Sequence, residues 1–548
     1  MAGGVGSRRL RKQCILLIVV AGLERFAFKG VASNLVTYLT EVVKLSNSSA
    51  AKTINSWCGV TSMLPLLGAL LADSYLDRYS TILVSSFLYV VGLVVLTSTA
   101  LISAWIPRSK TSSSASLYWS LYLISVGQGG YNPCLQAFAA DQPENDDDDL
   151  SCTSDDDQSC DSKKSPFFQW WYFGICSGSL LGVSLMSYIQ DTIGWGLGFA
   201  IPTVAMVLSI ACFSTGTRFY IYKQQPNGGD KNKLETIIQS IKATVSKMVN
   251  GSITLTSKES DAAELELQGK PLCNQEVDSP GSFDKKEAHL MDDARAVVRL
   301  LPIWVMLLAF AVIFQLPSTF FTKQGMTMKR KIGKSFIIPP ATLQSAITIS
   351  IILLMPLYDK MIIPMMRFVT RDDKGITVMQ RMGIGMFLSV IAMVTAAVVE
   401  AKRLEISRSP GVLESETVVV VVPLSIFWLL PQYILLGVSD VFTVVGMQEF
   451  FYTQVPSRIR TMGVGLYFSV FGVGSFLSAL LISVIEIVTS ARGGHSWLSD
   501  DMREARLDKY YWLLASSGTI SMLLFTCSSK YYDSGNKNDN ASVNENCK

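Results

Sequence analysis

Three charges stand inside one apolar stretch near the start of the chain. Glu24, Arg25 and Lys29 separate the uncharged runs 13–23 and 30–40. In lipid each such charge costs about 2.5–3.5 kcal/mol on insertion scales, so each needs a reason to be there. Arg25 and Lys29 are four residues apart and share a helix face. Glu24 is adjacent to Arg25 and reaches it only across the helix shoulder or through water. The triplet nets one positive charge. It fits a polar cavity in which Glu24 exchanges a proton and Arg25 and Lys29 hold an anion; a self-neutralising structural cluster is the alternative. Two further acids, Asp440 and Glu449, lie nine residues apart in a late apolar segment. Nine residues are 2.5 helical turns, so the two point to different sides and only one can face a common cavity. Glu449, between Gln448 and the aromatic run Phe450-Phe451-Tyr452, is the predicted proton and substrate carboxylate. Asp440 is predicted near the helix start as a structural pairing residue.

Other chemistries are poorly supplied. The two histidines, His289 and His495, lie in no apolar stretch, so a proton relay must use carboxylates. Their scarcity argues against a histidine metal site or a histidine-based triad, and neither an enzyme nor a bound cofactor is predicted. The ten cysteines are scattered without CxxC spacing, which gives neither a metal site nor a disulfide framework.

The elements that position these groups follow from the charges that are absent. The chain has 548 residues, 49% of them hydrophobic and 17% charged, and a mean hydropathy of +0.33. Soluble proteins carry roughly 25% charged residues. A net charge of +3 leaves no basic face for a nucleic acid. A hydrocarbon core about 30 Å thick needs about 20 apolar residues in a helix. Eleven uncharged stretches of 18 to 30 residues meet that need: 53–72, 79–107, 111–140, 165–190, 192–217, 300–322, 335–358, 382–399, 417–439, 461–485 and 510–529. The interrupted segment 13–40 makes a twelfth. A cleaved signal peptide is the alternative for that segment, but its apolar pattern resumes after Gly30. The prediction is an all-α membrane protein of twelve transmembrane helices in two six-helix bundles. Its parts are a cytosolic tail (1–12), an N-terminal bundle (13–222), a polar cytosolic linker (223–295), a C-terminal bundle (296–530) and a cytosolic tail (531–548).

The basic N-terminus, the linker and the loop with Lys360, Arg367, Arg371 and Lys374 all lie inside if the N-terminus is cytosolic. The loop with Lys323, Lys329, Arg330, Lys331 and Lys334 then lies outside, against the rule. The sequon Asn47-Ser48-Ser49 falls in the first outside loop, where glycosylation would require it. The acidic run 146–149 and 155–157 reads as a solvated charge cluster. Asp73 and Arg78, after the second span, and Asp141, after the fourth, stand at cytosolic helix ends, where salt bridges could close an inner gate. Tyr358-Asp359-Lys360, with Arg367, repeats the Asp73–Arg78 pattern at the matching end of the eighth span. Gly127, Gly129-Gly130 and Pro133 in the fourth helix, Pro302 in the seventh and Pro431 in the tenth read either as cavity-lining breaks or as packing features. Ser and Thr among the charges of the central loop offer substrates to a kinase, at no fixed position.

Several separate segments carry a family resemblance. They are Gly22-Leu23-Glu24-Arg25-Phe26-Ala27-Phe28, the run 65–78 (PLLGALLADSYLDR), the run 127–134 (GQGGYNPC) with Ala140-Asp141-Gln142, the run 167–173 (FFQWWYF) and Gln448-Glu449-Phe450-Phe451-Tyr452. Together they resemble the proton-coupled oligopeptide transporter family, also called the nitrate and peptide transporter family, in its plant branch. The resemblance spans about residues 13 to 530. It implies a major-facilitator fold and carriage of nitrate, small peptides or plant metabolites, usually with protons. By that resemblance Glu24 and Arg25 match the second Glu and the Arg of the first-helix Glu-x-x-Glu-Arg motif, and Glu449 the tenth-helix carboxylate. The first Glu of the motif falls on Ala21, a fourth-helix Lys on Asn132, and two tyrosines on Phe28 and Lys29. An acid and a base are lost together, which keeps the cavity balanced. Loss of the tyrosine hydroxyls and gain of Lys29 favour a small anion.

The expectation is a secondary transporter moving a small anion, nitrate first, by alternating access with protons. Proton coupling falls to Glu24 and Glu449, substrate binding to Arg25, Lys29, Asn132 and Glu449, and gating to Asp73, Arg78 and Asp141. A carrier of peptides or of a larger metabolite is one alternative. A passive facilitator or non-transporting sensor is another, raised by Ala21 and Asn132. The predicted setting is a lipid bilayer, in the plasma or vacuolar membrane.

Overall fold

A computed structural model describes residues 12–74, 78–105, 110–142, 157–220, 281–333, 336–358, 361, 365, 377–409, 421–455, 460–491 and 496–546. Helices dominate, as lipid demands of a chain that must satisfy its backbone hydrogen bonds internally. The first half has α1 (Lys12–Ala32), a short α2 (Leu35–Glu41), α3 (Asn47–Ser74), α4 (Arg78–Trp105), α5 (Lys110–Asp141), α6 (Asp157–Thr192) and α7 (Trp195–Thr215). The second has α8 (Gly281–Ile313), a short α9 (Phe320–Met326), α10 (Ser345–Leu357), α11 (Val378–Ser407), α12 (Leu430–Thr453), α13 (Arg460–Ser490) and α14 (Leu507–Asn546). Nine helical segments are long and apolar enough to cross a membrane by length and composition among the described residues; α1, α3 and α5 are not among them. Large apolar side chains such as Phe87, Trp119, Leu353, Ile487 and Leu523 face outward. That is the surface a bilayer covers.

Each half has its own buried core, around Trp57, Tyr89 and Phe199 in the first and around Phe321, Tyr433 and Tyr511 in the second. The halves meet where α3 runs along α13 and α6 along α10. Glycines allow close approach. A Cβ on Gly472 would lie 2.6 Å from the Met63 side chain. Within the first half, a Cβ on Gly129 would lie 2.6 Å from Leu64 Cβ, and one on Gly127 2.7 Å from the Ser85 carbonyl oxygen. The fourth-helix glycines therefore act by packing against α3 and α4.

Several helices run beyond the uncharged stretches that predicted them. Helix α8 begins at Gly281, inside the stretch predicted as linker, and α14 continues to Asn546, past the predicted end of the bundle. A gap in charge marks where lipid ends, whereas a helical hydrogen-bond ladder is local and continues into water. The tenth span shifts most. Residues 422–425 form a strand that pairs in parallel with Met328–Lys329, and a 3-10 turn over Ile426–Leu429 leads into α12 at Leu430. Pro431 occupies the first helical turn, where a missing N–H costs nothing, so it starts the helix instead of interrupting it. Pro133 and Pro302 do lie inside α5 and α8.

The end of the bundle that carries the 41–47 turn is closed. Lys323, buried between the halves, donates to Thr40 Oγ1 at 3.0 Å, Gln344 donates to the Ser33 carbonyl at 2.9 Å, and Arg330 pairs with Asp191 at 3.3 Å. Lys323 and Arg330 belong to the basic loop that runs against the charge rule. Both are taken up in contacts between the halves, which gives them a structural reason to be on that side. A buried pair fastens the same end of the second half. Arg403 and Glu400 are 1% and 0% exposed, with Arg403 Nη2 at 2.6 Å and Nε at 2.8 Å from the carboxylate. Glu400 also accepts from Gln324, and Arg403 donates to the Met502 carbonyl, each at 2.7 Å.

Candidate functional site

A cavity of about 410 Å³ lies between the halves. From the first half it is lined by Arg25, Phe28 and Lys29 of α1, Cys58 of α3, Gln128 and Asn132 of α5, and Tyr172 and Cys176 of α6. The second half contributes residues that include Gln344, Asp440 and Tyr467. Helix α1 can aim its charges inward because its other faces pack on α6 and α7, and a glycine pair lets α1 and α6 approach closely: a Cβ on Gly22 would lie 3.2 Å from the Gly174 carbonyl oxygen.

Glu24 is buried directly behind the cavity wall at 2% exposure. Its carboxylate accepts from Gln128 Nε2 at 3.1 Å and lies 3.7 Å from Arg25 Nε. The adjacent pair thus meets across the helix shoulder. Gln128, which the charge pattern could not single out, is the neutral group that turns Glu24 toward α5. Lys29 and Asn132 both line the cavity.

The tenth-helix carboxylate in the cavity is Asp440, not Glu449. Helical phase allows only one of the two, and the start of α12 at Leu430 places Asp440 mid-helix facing the cavity. Asp440 Oδ1 is buried with no hydrogen-bond partner, and Lys29 acts on it electrostatically from the opposite half. Glu449 sits outside the cavity lining, 46% exposed, in a 3.1 Å ion pair with Arg381 of α11. Arg381 in turn lies 4.9 Å from the Tyr358 ring centroid. Glu449 is therefore placed as a brace between α11 and α12, away from the cavity lining where both roles predicted for it would put it.

Arg78 opens α4 and is half-buried. Asp73 and Asp141 end their helices as expected, but their side chains lie outside the described residues, as do Asp77, Asp359, Lys360, Arg367 and residues 143–156. The central stretch 221–280, with most of the predicted linker, also lies outside them. Among the described residues no group of three or more His, Cys, Asp or Glu could hold a metal ion.

A two-half helical bundle with a charged cavity between its halves can serve as a carrier, and comparison with known proteins places it. The sequence profile of the POT family matches residues 79–498. The chain belongs to the POT family. It is 56% identical to protein NRT1/PTR family 5.9 of Arabidopsis thaliana, over 96% of this chain and 97% of that one. It is 42% identical to protein NRT1/PTR family 5.10 of the same plant, over 94% and 92%. Among solved structures, an auto-inhibited POT family peptide transporter superposes with a TM-score of 0.68 at 19% identity, over 95% of this chain and 97% of that one. A POT peptide transporter crystallised with sulfate gives 0.65 at 16%, over 96% of each. At such identities these two structures speak for the shared fold. As a POT family member the chain is an integral membrane transporter with an all-α fold, and not an enzyme.

Proposed function

We propose that this POT family chain carries a small anion, nitrate first, together with a proton, by alternating access. One observation carries the proposal: among the described residues, the charges facing or backing the cavity sum to zero and hold two titratable acids. Arg25 and Lys29 are offset by Glu24 and Asp440. Adding one proton to Asp440 or Glu24 leaves one uncompensated positive charge in a low-dielectric site, and an anion restores the balance. Proton and anion then enter and leave as a pair, since a buried charge left unpaired is costly. Asp440 takes the coupling role predicted for Glu449. Arg25, Lys29 and Asn132 bind the anion, and Asp73, Arg78 and Asp141 work the opposite gate.

The cavity volume favours a second reading, a larger organic solute bearing a carboxylate or phosphate. About 410 Å³ lies within the 300–1,000 Å³ usual for small-molecule sites. Uptake of labelled nitrate into a heterologous cell, with and without an inward pH gradient, tests the first reading. Gradient-dependent accumulation is the expected result. No nitrate uptake alongside uptake of a dipeptide or an organic acid would replace the cargo, and uptake indifferent to pH would reduce the chain to a facilitator. A fluorescent fusion assigns the carrier to the plasma or the vacuolar membrane.

A further inference from the structure

The sequon Asn47-Ser48-Ser49 occupies a position that glycosylation cannot share. Its acceptor atom is Asn47 Nδ2. That side chain is only 7% exposed and donates to the Asp500 carbonyl at 3.2 Å and the Ser499 carbonyl at 3.5 Å, in the segment before α14. The Asn47 backbone N–H donates to Asp500 Oδ1 at 2.6 Å. One residue on, Ser48 Oγ donates to Glu486 Oε1 at 2.9 Å, and Lys52 Nζ meets Glu486 Oε2 at 2.8 Å. Five bonds from the first turns of α3 thus reach across to α13 and the α13–α14 connection. The sequon hydroxyl is occupied as well, since Ser49 Oγ accepts from Ser46 Oγ at 2.8 Å.

We propose that this sequon serves as a clasp between the halves and carries no glycan in the folded carrier. A sugar on Asn47 Nδ2 would remove its two hydrogen bonds to the second half and put a bulky polar group where the halves touch. Glycan occupancy and closure of this end exclude each other. The clasp holds the closed state through Asn47, Ser48 and Lys52 on one half and Glu486 and Asp500 on the other. Its meaning for transport rests on the alternating-access reading above; closure itself does not depend on the cargo.

The test uses the full chain made in eukaryotic membranes. Endoglycosidase digestion is expected to leave its electrophoretic mobility unchanged; a shift that disappears in S49A would show an occupied sequon and overturn the proposal. Hydrogen–deuterium exchange is then read on the purified carrier in lipid nanodiscs. N47A is expected to speed exchange about fivefold to thirtyfold in residues 44–52 and also in residues 496–506, as loss of one or two interactions worth about a kcal/mol each would do. S49A destroys the sequon but keeps the Asn47 bonds, and is expected to exchange like the parent. Parent-like exchange of 496–506 in N47A, or acceleration in S49A equal to that in N47A, would overturn the clasp. If N47A does not yield monodisperse protein, E486Q decides, with faster exchange expected in residues 44–52 and 482–490, where Ser48 and Lys52 meet Glu486, and parent-like exchange there overturning the clasp. A carrier that passes these tests yet moves no nitrate leaves the clasp standing and removes only the cargo.

Discussion

Replacing Asp440 with Asn tests the charge balance of the cavity most directly. The change keeps the shape of the side chain and removes one negative charge that faces Lys29 across the cavity. A sphere of the cavity's 410 Å³ volume has a diameter near 9 Å. Two unit charges about 9 Å apart at an effective dielectric of about 20 interact by about 1.8 kcal/mol. At about 1.4 kcal/mol per factor of ten, that is about twentyfold in affinity. In the parent carrier, protonating Asp440 should therefore tighten anion binding by about that factor. In Asp440→Asn the cavity is positive at every pH. Its apparent KM for nitrate at pH 7.5 should fall by up to about twentyfold, toward the value reached at acid pH, and should depend less on pH, with only Glu24 left to titrate. Accumulation against a gradient should be weakened, because Glu24 is then the one acid of the pair left to take up a proton. Substrate-dependent currents and labelled-nitrate uptake at pH 5.5 and 7.5 measure both quantities. An Asp440→Asn carrier that keeps the parental pH dependence would refute the reasoning.

Lys29→Ala should weaken the same affinity by a comparable factor, read as a raised KM in the uptake assay; unchanged KM would remove Lys29 from the anion site. Glu449→Gln should leave the pH dependence of uptake intact and cost at most about 1 kcal/mol, since a half-exposed ion pair contributes little; loss of pH dependence would return the proton role to Glu449. Glu400→Ala leaves Arg403 as an uncompensated buried charge, so a loss of about 3–5 kcal/mol is expected, read as a lower melting temperature in detergent. Combining Glu400→Gln with Arg403→Met removes both charges at once and should recover part of that loss. The clasp variants supply the remaining test.

The fold was readable because lipid imposes one severe requirement. Uncharged runs long enough to cross a bilayer coincide with helices α3 to α7 and α10 to α14, apart from shifted ends. The first-helix charges were readable for the same reason, being exceptions to that requirement. The choice between Asp440 and Glu449 was not. Helical period showed that only one could face the cavity, but phase depends on where the helix begins. That point is set by pairing of residues 422–425 with Met328–Lys329, about a hundred residues earlier in the chain, and no local pattern records it. Aromatic neighbours drew attention to Glu449, whereas its ion-pair partner Arg381 lies on another helix. Gln128 carried no charge to betray it. The sequon was readable as a pattern, but its partners Ser499 and Asp500 come from the other half of the molecule.

Helices α1 and α5, two of the three long helices outside the nine segments apolar enough to cross a membrane, meet through Glu24 and Gln128. This has a consequence for how the protein is made. As α1 leaves the ribosome Glu24 and Arg25 have only each other, and Gln128 is synthesised about a hundred residues later. During that interval the segment is poorly suited to plain lipid, each charge carrying its insertion cost of about 2.5–3.5 kcal/mol. It must be sheltered by translocation machinery or by neighbouring helices until α5 arrives. The polar surface that gives the finished carrier its site thus makes assembly of the first half depend on order. A substitution at Gln128 would then reduce the amount of carrier reaching the membrane as well as its activity once there.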